Sequence, residues 1–97
     1  MNMPTSRAEV STEHASRYLQ QLCKHWAHKF PVEFTPEHGE ITLPSGVTVM
    51  DAASDRLTVA LRAEDAAALD QLERVVADHI TRFAFREELT FDWTRDA

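Results

Sequence analysis

Glycine, cysteine and long apolar runs are what this chain has least of, and each shortage closes off a class of function. Only two glycines occur in 97 residues, Gly39 and Gly46, and both read as turn positions. Phosphate-cradling loops and dinucleotide fingerprints need several closely spaced glycines, so that backbone amides can approach a phosphate. Neither exists here in its usual form. The single cysteine, Cys23, excludes an internal disulfide and any paired-cysteine metal motif, and it suits a reducing cytoplasm. It falls mid-helix, away from a helix N-terminus that would make it reactive, and reads as a small residue at the edge of the core. No apolar run is long enough for a signal core or a membrane span, so the expectation is a cytoplasmic protein without either. No cofactor motif is present.

Acidic residues are missing in one place only. The chain carries −6 overall, which argues against a general nucleic-acid binder, because phosphate neutralisation needs many basic groups. Yet from His14 to Val32 there is no Asp or Glu, only Arg17, Lys24, Lys29 and three histidines. That stretch is a basic face on an acidic body.

Length and patterning predict a frayed N-terminus over residues 1–5 and a single α+β domain over 6–97. Ala8 and Val10 share a face of a first strand, Arg7 to Ser11. Ser11 or Thr12 is the expected N-cap of a helix from about Glu13 to Lys29. Its buried stripe is Ala15, Leu19, Leu22 and Trp26, and Pro31 stops it. Four short strands follow: Val32–Thr35, Glu40–Leu43, Val47–Met50 and Arg56–Arg62. In the third, Val47 and Val49 share a face. In the fourth, Leu57, Val59 and Leu61 do. Pro44-Ser45-Gly46 supplies turn chemistry between the second and third, and short connections make an antiparallel meander. A second helix from about Glu64 to Arg86 carries Leu69, Leu72, Val76, Ile80 and Phe83. Leu89, Phe91 and Trp93 then alternate as a last strand or a docked tail. The order is β-α-β-β-β-β-α(-β), with both helices covering one face of a curved sheet.

At 100° per residue, His14, Tyr18, Gln21, His25 and His28 form one ridge along the first helix. Val75, His79, Arg82 and Arg86 form another along the second. If the two edges meet, they line a groove for an anion, with Tyr18, His25, His28, His79, Arg82 and Arg86 as its binding residues. Each residue also has a plainer explanation. Cations suit the C-terminal turn of the first helix. Asp78 can pair with Arg82 one turn away, and Glu87 and Glu88 can screen Arg86. His79 can be a hydrogen-bonded residue at the core edge. A metal site using His25, His28, His79 or Cys23 is disfavoured, because Cys23 lies about 160° around the helix from His25. The adjacent acids Glu64-Asp65 and Glu87-Glu88 read as solvated helix ends, and no catalytic residue is assigned.

Two stretches carry a family resemblance. Ser16-Arg17-Tyr18-Leu19-Gln20-Gln21-Leu22-Cys23-Lys24-His25-Trp26-Ala27-His28-Lys29-Phe30 and Ala77-Asp78-His79-Ile80-Thr81-Arg82-Phe83-Ala84-Phe85-Arg86-Glu87, with the Leu43-Pro44-Ser45-Gly46 turn between them, resemble the bacterial family called domain of unknown function 2218. The resemblance implies an accessory role in iron–siderophore handling, since some members look like tail domains of flavin-dependent, siderophore-interacting ferric reductases. It makes such a reductase the expected partner. The element order is also similar to half of the TATA-binding-protein architecture, a likeness of fold alone.

Three functional readings follow. The first is a binding or accessory module for an anionic ligand, with no membrane or nucleic-acid partner. The second is a small enzyme, or a subunit of one, using a histidine as general acid or base. The third is a homodimeric interaction protein joined through the open sheet face or the Leu89–Trp93 segment.

Overall fold

The computed structural model describes residues 3–96. Met1 and Asn2, part of the N-terminal segment expected to fray, lie outside them. The elements are β1 (Thr5–Ser11), α1 (Ala15–Trp26), β2 (Val32–Phe34), β3 (His38–Leu43), β4 (Gly46–Ala52), β5 (Arg56–Ala63), α2 (Ala66–Phe83) and β6 (Thr94–Asp96). They form the predicted α+β arrangement. One six-stranded antiparallel sheet runs β2-β3-β4-β5-β1-β6, and both helices pack on the same face of it.

Period-two burial explains most of that sheet. Ser6, Ala8 and Val10 of β1 point inward, as do Ile41 and Leu43 of β3 and Leu57, Val59, Leu61 and Ala63 of β5. The helices answer with Leu19, Leu22 and Trp26 from α1 and Leu69, Leu72, Val76 and Ile80 from α2, all buried at helical spacing.

β4 departs from the expected pattern. Thr48 and Met50 face the core, while Val47 and Val49 lie on the open face, half-buried. The register decides this. Thr48 sits opposite Ile41 on one side and Leu61 on the other, both inward residues, so its own side chain must point inward too. Its hydroxyl is buried with no hydrogen-bond partner among the described residues. The remaining open face is mostly polar, with Arg7, Glu9, Glu40, Asp51 and Arg62 exposed.

The helix ends also differ from expectation. α1 has no side-chain cap. Its N-cap is His14, and the Thr12 hydroxyl instead accepts from the His14 amide at 3.0 Å. Regular helix stops at Trp26. The amides of Lys29 and Phe30 both return to the Trp26 carbonyl at 3.0 Å, so His28 and Lys29 sit in a tight terminal turn. α2 starts later than predicted because Asp65 caps it, accepting from the Ala68 amide at 2.8 Å. Asp65 is thus committed to the cap.

Leu89, Phe91 and Trp93 are a docked tail, packed against the core, and the last strand is Thr94–Asp96. Arg95 ties that strand to α2. It donates to Glu73 at 3.0 and 3.1 Å and also bonds Asp70, while the buried Ser6 hydroxyl donates to the same Glu73 at 2.5 Å. No helix among the described residues is long and apolar enough to cross a membrane.

Candidate functional site

Antiparallel packing brings α1 against α2. Going forward along α1, Tyr18 meets Glu87, His25 meets Phe83 and His79, and Lys29 and Phe30 share a cleft with Gln71 and Leu72. The two basic margins therefore face each other, but they line two clefts, not one groove. Phe83 stands between the clefts: it lines the first, and its ring meets His25 at 6.1 Å.

The first cleft, of about 820 Å³, lies at the N-terminal end of α1 and the C-terminal end of α2. Arg17, Tyr18 and Arg86 line it, and so do Glu13, Asp55 and Glu87, which balance the arginines. Tyr18 is only 4% exposed and its hydroxyl donates to Glu87 Oε2, which also accepts from the Thr12 hydroxyl at 3.1 Å. Burial first, then that carboxylate, push the Tyr18 phenol up to about 12. Its hydroxyl is thus already committed to Glu87. Glu87, which the sequence suggests is a solvated helix end, instead ties the segment just beyond α2 to α1 through Tyr18 and to the β1–α1 connection through Thr12. Arg86 pairs with no acid among the described residues, and its guanidinium lies 5.3 Å from the ring of Phe85, a side chain 79% exposed.

The second cleft, of about 620 Å³, opens where α1 ends. His25 and His79 come within 5.2 Å, ring centre to ring centre, and the buried Trp26 ring lies 4.9 Å from that of His79. Lys29 stands at the rim, Val75 and Leu72 form the α2 wall, and the Leu43-Pro44-Ser45 turn between β3 and β4 closes one side. Among the described residues no Asp or Glu lines this cleft, although acids outnumber Lys and Arg 16 to 10 in the chain. Lys29 has no ion-pair partner among the described residues. His79 Nδ1 donates to the Val75 carbonyl at 2.7 Å.

Of the six residues singled out from sequence, His25 and His79 meet in the second cleft, and Tyr18 and Arg86 share the first. Arg82 and His28 are exposed and line neither, and Arg82 forms no ion pair with Asp78. Lys29, Trp26 and the Pro44 turn were not singled out as site residues. By its periodicity Trp26 belongs to the core, and the turn lies far away in sequence. Cys23 packs inward against Gly39, away from His25, and burial raises its thiol to about 11, which keeps it unreactive. Among the described residues no group of three or more His, Cys, Asp or Glu could hold a metal ion.

The family model for DUF2218, described as an uncharacterised protein conserved in bacteria, matches residues 7–94. The chain is similar to the NMR structure of PA4090 from Pseudomonas aeruginosa, at 41% identity and a TM-score of 0.81, over 95% of this chain and 96% of that one. No curated protein matches it.

Proposed function

We propose, for a chain that belongs to DUF2218, a family of uncharacterised proteins conserved in bacteria, that it is a binding module for a small organic anion held in the cleft between the end of α1 and the middle of α2. One observation carries the reading. On an acidic protein, the cleft that gathers His25, His79 and Lys29 contains no carboxylate in its lining among the described residues. An anion entering it meets Lys29, which pairs with no acid among the described residues, and the imidazole of His25 against a partly apolar wall, where such contacts are stronger than in open water. Catecholate or hydroxamate oxygens of a ferric siderophore belong to this ligand class, and a siderophore-handling reductase is the partner such a module would serve. The open rim and the exposure of His25 favour binding over general acid–base catalysis, which needs histidines enclosed with the substrate.

The test is an amide-shift titration with benzoate, inorganic phosphate and a ferric catecholate. At least one should move Trp26, Lys29, Ser45 and His79 together. Lys29→Gln should weaken that binding about tenfold, while Arg86→Ala, in the other cleft, leaves it unchanged. The reading is lost if no anion perturbs the cleft or if Lys29→Gln binds as tightly as the wild type.

A further inference from the structure

We infer that the anion taken by this cleft is an elongated, flat organic acid bearing a hydroxyl at the end opposite its carboxylate; the inference rests on the anion-binding reading above. The order of groups along the two helices is the reason. Because α1 and α2 run antiparallel, His25 and His79 mark one end of the cleft. Lys29 and Phe30 mark the other, opposite Gln71 and Leu72. Gln71 and His79 are eight residues apart on α2, about 12 Å along the axis, and His25 and Lys29 are four apart on α1, about 6 Å, so a ligand joining the imidazoles to the Lys29 side chain spans a length between these two. Val75 lies between the ends on α2, and the Trp26 ring lies at the histidine end, 4.9 Å from that of His79. Trp26 and Phe30 stand edge to face, with ring centres 6.4 Å apart; Trp26 is buried, so the aromatic surface left to a flat ligand is that of the half-buried Phe30.

The two ends ask for different chemistry. Lys29 at one end has donors only and no acid partner among the described residues, so it suits a carboxylate. At the other end, the Val75 carbonyl can only accept, so the hydrogen it shares with His79 resides on Nδ1. In the neutral ring this leaves Nε2 as a bare acceptor, and no further hydrogen bond engages it among the described residues. A half-buried acceptor calls for a donor, and a hydroxyl supplies one where a second carboxylate would not. A hydroxyaryl acid satisfies both ends and fills the apolar middle.

Four probes separate the parts of this proposal: 4-hydroxycinnamate, cinnamate, 4-hydroxycinnamyl alcohol and adipate, each titrated while amide shifts are followed. The hydroxy acid should bind tightest. Loss of either its hydroxyl or its carboxylate should weaken binding about tenfold. His79→Phe should erase the difference between 4-hydroxycinnamate and cinnamate, and Lys29→Gln the difference between acid and alcohol. If cinnamate equals 4-hydroxycinnamate, or adipate exceeds both, while cleft amides still shift, the ligand class is wrong and the anion-binding reading survives. If no probe, and neither phosphate nor a ferric catecholate, shifts the cleft, both are wrong. The wild-type series decides the matter even where a variant fails to fold.

Discussion

Gly39→Ala tests how tightly α1 is seated on the sheet, and therefore how firmly the cleft is placed. Gly39 is an inward position of β3. A Cβ there would lie 2.8 Å from Cys23 Sγ, 3.2 Å from Leu19 Cδ2 and 3.4 Å from Phe34 Cβ. Carbon and sulfur do not tolerate the first of these distances, and ordinary contact begins at 3.4 Å. The sulfur must therefore retreat by the difference, about 0.6 Å, yet Cys23 and Leu19 are both completely buried, in an interior of the kind that packs to near crystal density. Overpacking of this kind costs about 1–3 kcal/mol. In a protein of this size each kcal/mol lowers Tm by about 4–8 °C. The assay is a double-mutant cycle by urea denaturation. Cys23→Ala removes the obstructing sulfur, so the Gly39→Ala methyl should cost clearly less in that background, with a coupling above about 0.5 kcal/mol. Cys23 lies two residues before His25, so Gly39→Ala should also weaken ligand binding in the α1–α2 cleft. If Gly39→Ala is as stable as the wild type, or the two substitutions are simply additive, the packing argument is refuted.

Three further expectations concern the polar ties. Tyr18 is the only tyrosine, so its ionisation can be followed by ultraviolet absorbance, and its midpoint should lie near 12 while the protein is folded. Because the folded value is raised above the unfolded one, the Tyr18 contribution is complete below about pH 10 and is lost as pH climbs through about 12. Tyr18→Phe should lack that loss and cost about 0.5–1.5 kcal/mol at neutral pH, and a phenol titrating near 10 in the folded protein would contradict the assignment. His38 lies between Asp51 on the neighbouring strand, at 2.7 Å, and Glu40, at 3.4 Å, and these hydrogen bonds raise its pKa above the usual histidine value. Its stabilisation is therefore present at acid pH and fades as pH rises through that folded value. Being half exposed, the effect is small, and NMR titration of the His38 ring, with His38→Gln as the pH-insensitive control, should show it. Arg95→Ala removes the ties from β6 to Asp70 and Glu73, so hydrogen exchange should speed up at Thr94–Asp96 and along Thr5–Arg7, with β3 and β4 unaffected. Unchanged exchange there would mean that the docked Leu89–Trp93 segment alone holds the strand.

The sequence by itself determined the order of elements, the antiparallel meander and the buried stripes of both helices. Each of these depends on spacing within one element, and spacing reports which residues share a face. The alternation of Leu57, Val59 and Leu61 and the α1 stripe of Leu19, Leu22 and Trp26 were legible for that reason. So was the acid-free basic margin that carries His25.

Only the tertiary structure decided which face of β4 turns inward. Its pattern of Val47 and Val49 was outvoted by Ile41 and Leu61 on the flanking strands, which pull Thr48 into the core. Tertiary packing likewise divided the predicted groove at Phe83 and gave the Tyr18 hydroxyl to Glu87, 69 residues away. It also brought the Pro44 turn and Lys29 to the rim beside His79. Periodicity cannot reach these outcomes, because a local pattern says nothing about which distant side chain will occupy the same space.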